Sequence, residues 1–251
     1  SYMWVRRSGA PDHPIVLYDY APSRAGSVAE QLLKGFTGYL QTDDYAGYHA
    51  IGRKDDISHV GCWAHARRKF VDAQKAGTSK DKKTTRIGKA DVAINYITKL
   101  YAIEKQAKDA SSEARRQLRQ EKSVPIINAL REWLDKTLHS TLPKGLLGTA
   151  LGYLNKNWEK LIRYIEDGDV NIDNNLAENA IRPFVIGRKN WLFSATPRGA
   201  HASAAIYSLI ETAKANGLEP YAYLREVFAR LPSISSDEEL QALLPWNVSL
   251  A

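Results

Sequence analysis

Short hydrophobic runs broken by turn-forming residues fill positions 1–60 of the chain. The runs YMWV (2–5) and PIVLYDY (14–20) are rich in β-branched and aromatic residues, a composition that favours extended backbone. The residues between them, SGAPDHP (8–14), are typical of a turn. These runs therefore predict two strands joined as a hairpin.

A helix and two more strands are predicted after the hairpin. Ser27–Lys34 has helical spacing, a capping serine at its start and Gly35 just past its end. The runs FTGYLQTD (36–43) and HVGCWA (59–64) predict strands on either side of a short helical piece. This order of elements is that of an α/β sheet.

From Ala66 onward, the spacing of apolar residues becomes helical. It covers three stretches: 89–108, 112–139 and 142–166. Proline removes a backbone donor, so we expect Pro125 to kink or divide its helix. The block 66–170 is therefore a predicted all-helical insertion, with the polar segment 75–86 as its loop.

The last third of the chain returns to amphipathic helices. Gly217 closes a predicted helix over 198–216, and two prolines border the next one. A further cap is expected at Ser236 or Asp237. We therefore divide the chain into a partial core sheet, the helical insertion, core helices and a tail: 1–65, 66–170, 171–232 and 233–251.

The composition fits a globular protein, with 44% apolar and 10% aromatic residues. Lys and Arg number 35 against 28 Asp and Glu, a net charge of +7 that is compatible with a nucleic-acid partner, although many basic proteins bind none. The single cysteine, Cys62, excludes an intrachain disulfide and favours a reducing cytoplasm. The sequence contains no apolar run of about 18 residues, and its start lacks the order of a signal peptide, so neither membrane insertion nor export is expected.

Two acidic residues are candidates for chemistry. Asp43 stands at the C-terminal end of a predicted strand, where α/β sheets place ligands, although a plain turn aspartate would look the same. Glu178 lies early in a helix that Asp173, Asn174 or Asn175 would cap, and an ion pair with Arg182 would explain it without any function.

Cationic, amide and aromatic groups follow Glu178 along the chain. Arg188, Lys189 and Asn190 stand next to Trp191, a mixture suited to contact with phosphates and bases.

Cys62 and His65 form a Cys-x-x-His. A structural zinc site needs four ligands, and even with His59 the set is incomplete. A Cys-His nucleophile pair has still less support, because no orienting carboxylate is near in sequence. A buried thiol and a hydrogen-bonded histidine joining the sheet to the first inserted helix is the favoured interpretation.

Four motifs, in this order, resemble the transposases of the insertion-sequence 66 family: LQTDDYAGY, CWAHARRKF, DNNLAENAIRPFVIGRKNWLF and SLIETAKANGLEPYAYL. The resemblance extends from YMWV to the closing LLPW. It implies an α/β fold with a ribonuclease-H-like mixed sheet, a large helical insertion and a helical C-terminal part. It also implies a DDE transposase, in which two aspartates and a glutamate hold two divalent metal ions.

Matched motif by motif, the resemblance makes Asp43 the second catalytic aspartate and Glu178 the catalytic glutamate, both metal ligands. Cys62 and His65 match a Cys-x-x-His that recurs in several ribonuclease-H-like transposase groups. Where glycine is usual after the motif aspartate, this chain has Asp44. Either member of the pair could then face the metal, and we favour Asp43.

The family's first aspartate lies in an Asp-Glu-Thr motif on the strand before the one that resembles YMWV, so we expect it to precede this chain. Asp19 falls in an Asp-Tyr-x-Pro-x-Arg segment, which matches a strand that is not catalytic. The first strand, the triad and the DNA-end-binding region are thus expected to be incomplete here. The chain alone is expected to be inactive, with a second copy or a swapped strand filling the sheet.

The resemblance implies phosphodiester hydrolysis and strand transfer on insertion-sequence ends and target DNA, with two Mg²⁺ or Mn²⁺ ions in the complete enzyme. Charge and position make these residues predicted DNA contacts: Asn174, Asn175, Arg182, Arg188, Lys189, Asn190, Arg67, Arg68 and Lys69. Two alternatives stay open: a metal-dependent nuclease of the same fold, and a non-catalytic DNA-binding or assembly protein derived from a transposase.

Overall fold

A computed structural model of the protein describes residues 1–8, 12–77, 87–192 and 194–250. Most of the predicted loop at 75–86 and the centre of the predicted turn at 8–14 lie outside these described residues. Phe193, at the end of the motif that contains Glu178, lies outside them as well.

The described strands form two pairs. Their bounds are Tyr2–Ser8 (β1), Ile15–Ala21 (β2), Gly38–Gln41 (β3) and Ile57–Val60 (β4). β1 and β2 are antiparallel, which confirms the predicted hairpin, whereas β3 and β4 are parallel. The predicted α/β class is confirmed, and the ribonuclease-H-like order of the sheet stays a prediction.

The described residues form twelve α-helices. They are Gly26–Leu32 (α1), Trp63–Gly77 (α2), Lys89–Gln106 (α3), Ser112–Leu118 (α4), Val124–His139 (α5), Leu146–Lys156 (α6), Trp158–Ile162 (α7), Asn175–Ala180 (α8), Arg182–Trp191 (α9), Pro197–Ala215 (α10), Pro220–Arg230 (α11) and Asp237–Gln241 (α12). Within this described part of the chain, none combines the length and the apolar character that crossing a membrane requires.

Local signals in the sequence located the end of α10 and the start of α12 correctly, whereas α1 begins at Gly26, before the predicted cap Ser27, and ends at Leu32, three residues before Gly35. Gly35 and Gly217 have φ values of +77° and +76°, the left-handed backbone that glycine adopts without strain. The hydroxyl oxygen of Ser236 accepts a hydrogen bond from the Glu239 backbone N–H at 3.2 Å, so the predicted cap of α12 is confirmed.

The chain divides into two compact units. One contains Ser1–Val28 and Asn175–Ala251, and we call it the hairpin unit. The other contains Ala29–Asn174, and we call it the helical unit. The four domain boundaries inferred from the sequence stay predictions.

In the hairpin unit, side chains of α10 form hydrogen bonds with backbone groups on the outer edge of β2. The Thr212 hydroxyl accepts from the Val16 N–H at 3.0 Å and donates to the Val16 carbonyl at 2.9 Å. One turn earlier on α10, the Ser208 hydroxyl accepts from the Tyr18 N–H at 2.8 Å. Residues four apart share a helix face, so α10 supplies the hydrogen bonds that a third strand would otherwise supply.

One of the hydrophobic clusters of the hairpin unit is small and aromatic. Val16 and Tyr18 pack against Phe184 of α9 and Ala204 of α10. The Tyr18 hydroxyl also donates to the Ala180 carbonyl at the end of α8. These contacts hold α8, α9 and α10 on the hairpin.

The core of the helical unit is larger. α2, α3, α5 and α6 surround fully buried side chains, among them Trp63, Phe70, Ile97, Leu100, Leu130, Leu134, Leu151 and Leu154. Every one of these helices therefore buries an apolar face, as its sequence period predicts.

The predicted division at Pro125 is confirmed, and a buried arginine lies just before it. α4 and α5 are separated by one π-helical turn, Arg119–Ser123, after which Pro125 occupies the first turn of α5. The Arg119 guanidinium is fully buried and forms two hydrogen bonds with the Glu104 carboxylate, at 2.6 and 2.9 Å. It also donates to two backbone carbonyls. Removing one partner of such a buried pair typically costs about 3–5 kcal/mol.

The fourth predicted strand is shifted in the structure. The sequence predicts it over 59–64, but β4 ends at Val60 and α2 begins at Trp63. The Trp63 indole N–H donates to the Leu161 carbonyl at 2.7 Å, and the side chain is fully buried. Tertiary packing of this tryptophan overrides its preference for strands.

The double hydrogen bond of Thr212 gives a first testable prediction. Thr212→Val keeps the side-chain shape but leaves the buried N–H and carbonyl of Val16 without a partner. We expect the free energy of unfolding to fall by about 2 kcal/mol, the typical cost of unpaired buried polar groups. Urea unfolding followed by circular dichroism measures it.

Thr212→Ser is the matched control, because it removes a methyl group but keeps the hydroxyl. It should lower the free energy of unfolding by about 1 kcal/mol. A valine variant as stable as the serine variant would show that the hydroxyl does not support the strand edge.

Candidate active site

Asp43 occupies the turn that follows β3, at the carboxyl end of the parallel pair. Its side chain is exposed, whereas the preceding residue, Thr42, is buried. One carboxylate oxygen accepts a hydrogen bond from the Tyr45 N–H at 3.0 Å, which shapes a local Asx turn. This placement agrees with the predicted position of Asp43 at a strand end.

The neighbouring Asp44 is in the opposite situation. Its Oδ1 accepts from Lys160 at 2.8 Å and lies 3.1 Å from His49 Nε2, while its Oδ2 accepts from Asn157 at 3.1 Å. Lys156 Nζ lies 3.6 Å from Oδ2, and the side chain is only 10% exposed. Both oxygens of Asp44 are therefore engaged within the protein.

The electrostatics of Asp44 follow from these partners. Burial alone would raise the pKa of its carboxyl group. The hydrogen bond and charge of Lys160, with hydrogen bonds from Asn157 and His49, outweigh burial and hold the pKa below its ordinary value. Asp44 is consequently an ionised carboxylate in the protein interior, and the positive charge of Lys160 compensates its negative charge.

Sequence reasoning did not identify the residues that bind Asp44. Asn157 and Lys160 are 113 and 116 positions away in the chain, and His49 lies in the segment predicted as a short helix. The only signal was the cluster of polar residues around Trp158, which is equally typical of a solvated helix end.

A buried histidine, His59, contacts the residue that precedes Asp43. His59 Nε2 lies 2.8 Å from the Thr42 hydroxyl oxygen, which also accepts from the Asp44 N–H at 3.2 Å. Burial, followed by the positive charge of Lys160, lowers the pKa of His59 from 6.5 to about 4. His59 is therefore neutral at pH 7.

The three predicted cationic contacts on α2 divide into two environments. Arg67 and Arg68 are exposed. Lys69 is half-buried, and its ammonium group lies 4.8 Å from the ring centre of Tyr153, a cation–π distance. Burial and then the charges of Asp44, Cys62 and Asp43 raise the pKa of that tyrosine. Lys69 thus belongs to the surroundings of the acidic turn.

Cys62 is buried in the link between β4 and α2. Burial raises the pKa of its thiol, although backbone N–H groups of Asn174 and His65 oppose the shift. A protonated, buried thiol is a poor nucleophile. Among the described residues, His59 belongs to no group of three side chains spaced to hold a metal ion, and the structural role of Cys62 and His65 stays a prediction.

Glu178 belongs to the hairpin unit, whereas Asp43 belongs to the helical unit. Glu178 is half-buried in α8, which begins at Asn175. Asn174, the last residue of the helical unit, is half-buried. α8 ends at Ala180 and α9 begins at Arg182, with Pro183 in its first turn, so Glu178 and Arg182 lie on different helices.

α9 carries most of the other predicted DNA contacts. Arg182, Arg188, Lys189 and Asn190 are all exposed on it. The Trp191 ring meets Phe184 edge-on with the ring centres 5.1 Å apart, yet 38% of the tryptophan remains exposed. α9 therefore presents cations beside a partly exposed indole, as the sequence predicted.

The family model described as "Transposase IS66 family" matches residues 1–202, and "IS66 C-terminal element" matches residues 208–246. No solved structure matches the chain.

Curated relatives occur in Sinorhizobium fredii (strain NBRC 101917 / NGR234). The chain is 34% identical over 249 residues to uncharacterized protein y4qI, covering 96% of this chain and 45% of y4qI. It is 33% identical over 244 residues to uncharacterized protein y4jD, covering 94% of this chain and 46% of y4jD. The chain thus spans about half the length of these relatives.

The lowered pKa of His59 gives a prediction of pH-dependent stability. Between pH 6.5 and about 4 the unfolded chain binds a proton at this position and the folded chain does not. Stability should therefore fall as the pH drops through this window, by up to about 1.4 kcal/mol per pH unit, and His59 should add no further loss below it. Lys160, Asp44, His49 and Arg163 are the charged and titratable groups that influence this histidine.

Urea unfolding at pH 7, 5.5 and 4.5 tests this expectation. His59→Gln should show a weaker loss than the parent protein over that window, while His139→Gln, at an exposed position of α5, should keep the parent slope. Identical slopes for all three proteins would contradict the neutral buried histidine.

Proposed function

Because the chain belongs to the IS66 family of transposases, we propose that it contributes the catalytic region of a DDE transposase. The reaction class is metal-dependent cleavage of DNA phosphodiester bonds at insertion-sequence ends, followed by their transfer to target DNA. Since the chain spans about half of its curated relatives, the complete activity is assigned to the whole protein.

The observation that carries the proposal is the exposed carboxylate of Asp43 at the end of β3. A metal ligand for DNA chemistry must be reachable by both the ion and the substrate, and Asp43 meets this requirement while Asp44 is engaged internally. Ligands in parallel α/β sheets gather at the carboxyl ends of the strands, which is where this side chain lies.

The donor chemistry fits hard divalent cations such as Mg²⁺ or Mn²⁺. Asp43 and Glu178 offer carboxylate oxygens, the ligand type that such ions prefer. If bound by these carboxylates, such ions would supply Lewis-acid chemistry for phosphodiester cleavage and transfer. The role of the two residues is to hold and orient the ions, Asp43 from a strand end and Glu178 from α8.

DNA is the proposed polyanionic partner. Exposed Arg188 and Lys189 on α9, and Arg67 and Arg68 on α2, carry positive charge that can neutralise phosphates without reading sequence. The exposed part of Trp191 offers a surface for stacking on a base.

The first test removes the two carboxylates in the full-length protein. Asp43→Asn and Glu178→Gln should each lower strand transfer by at least about 10²-fold, the scale of removing one electrostatic interaction from a transition state. DNA affinity should stay within about twofold, because neither residue is a predicted phosphate contact. Strand-transfer and binding assays on an insertion-sequence end measure both.

Asp55→Asn, at an exposed position of the same unit, is the matched control and should behave as the parent. Cleavage without joining by the parent protein would favour the nuclease, and DNA binding without cleavage would favour the non-catalytic assembly protein. Equal loss of binding and of chemistry in the two carboxylate variants would remove their metal role.

The second test concerns the cations of α9. Arg188→Gln with Lys189→Gln should weaken binding to DNA of any sequence. The slope of log affinity against log salt concentration should fall by up to about 2, roughly one unit for each phosphate that is no longer neutralised. Lys105→Gln with Lys108→Gln changes the net charge equally at exposed positions of the helical unit and should leave the slope unchanged. Equal slopes for both double variants would show that α9 contacts no phosphate.

A further inference from the structure

Two adjacent carboxylates in the turn after β3 have opposite environments, one exposed and one engaged with α6 and α7. We propose that Asp44 is a positioning residue, which anchors this turn so that Asp43 presents its carboxylate outward. The inference rests on the proposed metal-binding role of Asp43. We call the contacts of Asp44 with Lys160, Asn157 and His49 the turn anchor.

The turn anchor uses the whole carboxylate. Oδ1 binds Lys160 and contacts His49, and Oδ2 binds Asn157. Three hydrogen-bond partners, the ammonium group of Lys156 3.6 Å from Oδ2 and a side chain only 10% exposed leave this carboxylate little access to a metal ion. The two aspartates therefore have separate roles: Asp44 holds the turn in place, and Asp43 exposes its carboxylate to solvent.

The backbone conformation of Asp44 is one that glycine would adopt more easily than aspartate. Its φ of +68° is left-handed, a conformation that glycine adopts without strain and aspartate with a small penalty. Glycine would satisfy this turn without strain. Aspartate adds the link to Asn157 and Lys160, which glycine cannot make.

The partners of Asp44 are themselves fixed. Lys160 lies in α7, and its carbonyl accepts from the Gly61 N–H at 2.9 Å just after β4. The next carbonyl, of Leu161, accepts from the buried Trp63 indole. The turn after β3 is therefore tied to a packed part of the helical unit, and the insertion contributes directly to the geometry of Asp43.

Hydrogen exchange in this chain tests the anchor without any enzymatic assay. The Tyr45 N–H, which donates to Asp43, reports on the turn. Asp44→Gly should speed its exchange by about tenfold or more while β4 amides keep their protection, because only the turn is released from its hydrogen bonds. Lys160→Met should reproduce the effect. Asp44→Asn, which tolerates the left-handed backbone and keeps an acceptor for Asn157, gives an intermediate effect and safeguards folding.

The double variant Asp44→Gly with Lys160→Met should exchange no faster than the faster single variant, since both changes break one link. Fully additive effects, or a Tyr45 amide that exchanges as in the parent, would overturn the anchor. So would a general loss of thermal stability with no specific change in the turn.

Titration with Mn²⁺, followed by paramagnetic broadening of the Asp43 and Tyr45 amide signals, connects the anchor to the site. Asp44→Gly should weaken Mn²⁺ binding at the turn by about tenfold, and in the full-length protein it should lower the rate of strand transfer by up to about 10²-fold with DNA affinity unchanged. Mn²⁺ binding abolished in Asp44→Asn but kept in Asp43→Asn would make Asp44 the ligand and overturn the proposal.

These experiments distinguish the turn anchor from the proposed function, because each can be contradicted without the other. A parent protein that binds no Mn²⁺ at Asp43 and joins no DNA, while the Tyr45 amide still responds to Asp44→Gly, supports the anchor and removes the proposed function. A parent protein that joins DNA while the Tyr45 amide ignores Asp44→Gly supports the function and removes the anchor.

Discussion

A pair of strands has only one hydrogen-bonded interface. In this protein, helices form the hydrogen bonds with the strand pairs that further strands form in larger sheets. Thr212 and Ser208 of α10 bind the outer edge of β2 with their hydroxyl groups. In the helical unit, the carbonyls of Lys160 and Leu161 receive the backbone and indole N–H groups that follow β4. Because two-stranded sheets are marginal alone, each pair depends on its helices for stability. The end of β3, where the candidate metal ligand Asp43 lies, is likewise held in position by side chains of the helical unit.

The same dependence shapes the acidic turn. Asp44 and Arg119 are both largely buried charges, and both are neutralised by residues distant in sequence. Burying a charge is unfavourable unless partners compensate it, so each network fixes a specific arrangement of the elements it joins. Arg119 ties the π-helical turn to α3 through Glu104, and Asp44 ties the turn after β3 to α6 and α7. The helices of the helical unit thus support the turn that carries Asp43.

Local signals in the sequence were sufficient for most elements and insufficient for the site. Gly217 and Pro125 mark helix ends through backbone chemistry that needs no tertiary partner. Trp63 misled the prediction of the fourth strand, because its burial against Leu161 depends on a residue 98 positions away. The preference for Asp43 over Asp44 rested on the motif resemblance alone, because the cations that engage Asp44, Lys156 and Lys160, lie on helices far along the chain.

The central claim is that Asp43, and not Asp44, offers its carboxylate to a divalent ion in a DDE transposase site. A crystal structure of the full-length protein with Mn²⁺ and an insertion-sequence end, with anomalous scattering to locate the ions, tests it most directly. The account predicts an anomalous peak bound by carboxylate oxygens of Asp43 and Glu178, with Asp44 still bound to Lys160 and Asn157. A peak on Asp44, or Mn²⁺ sites that involve neither Asp43 nor Glu178, would contradict it.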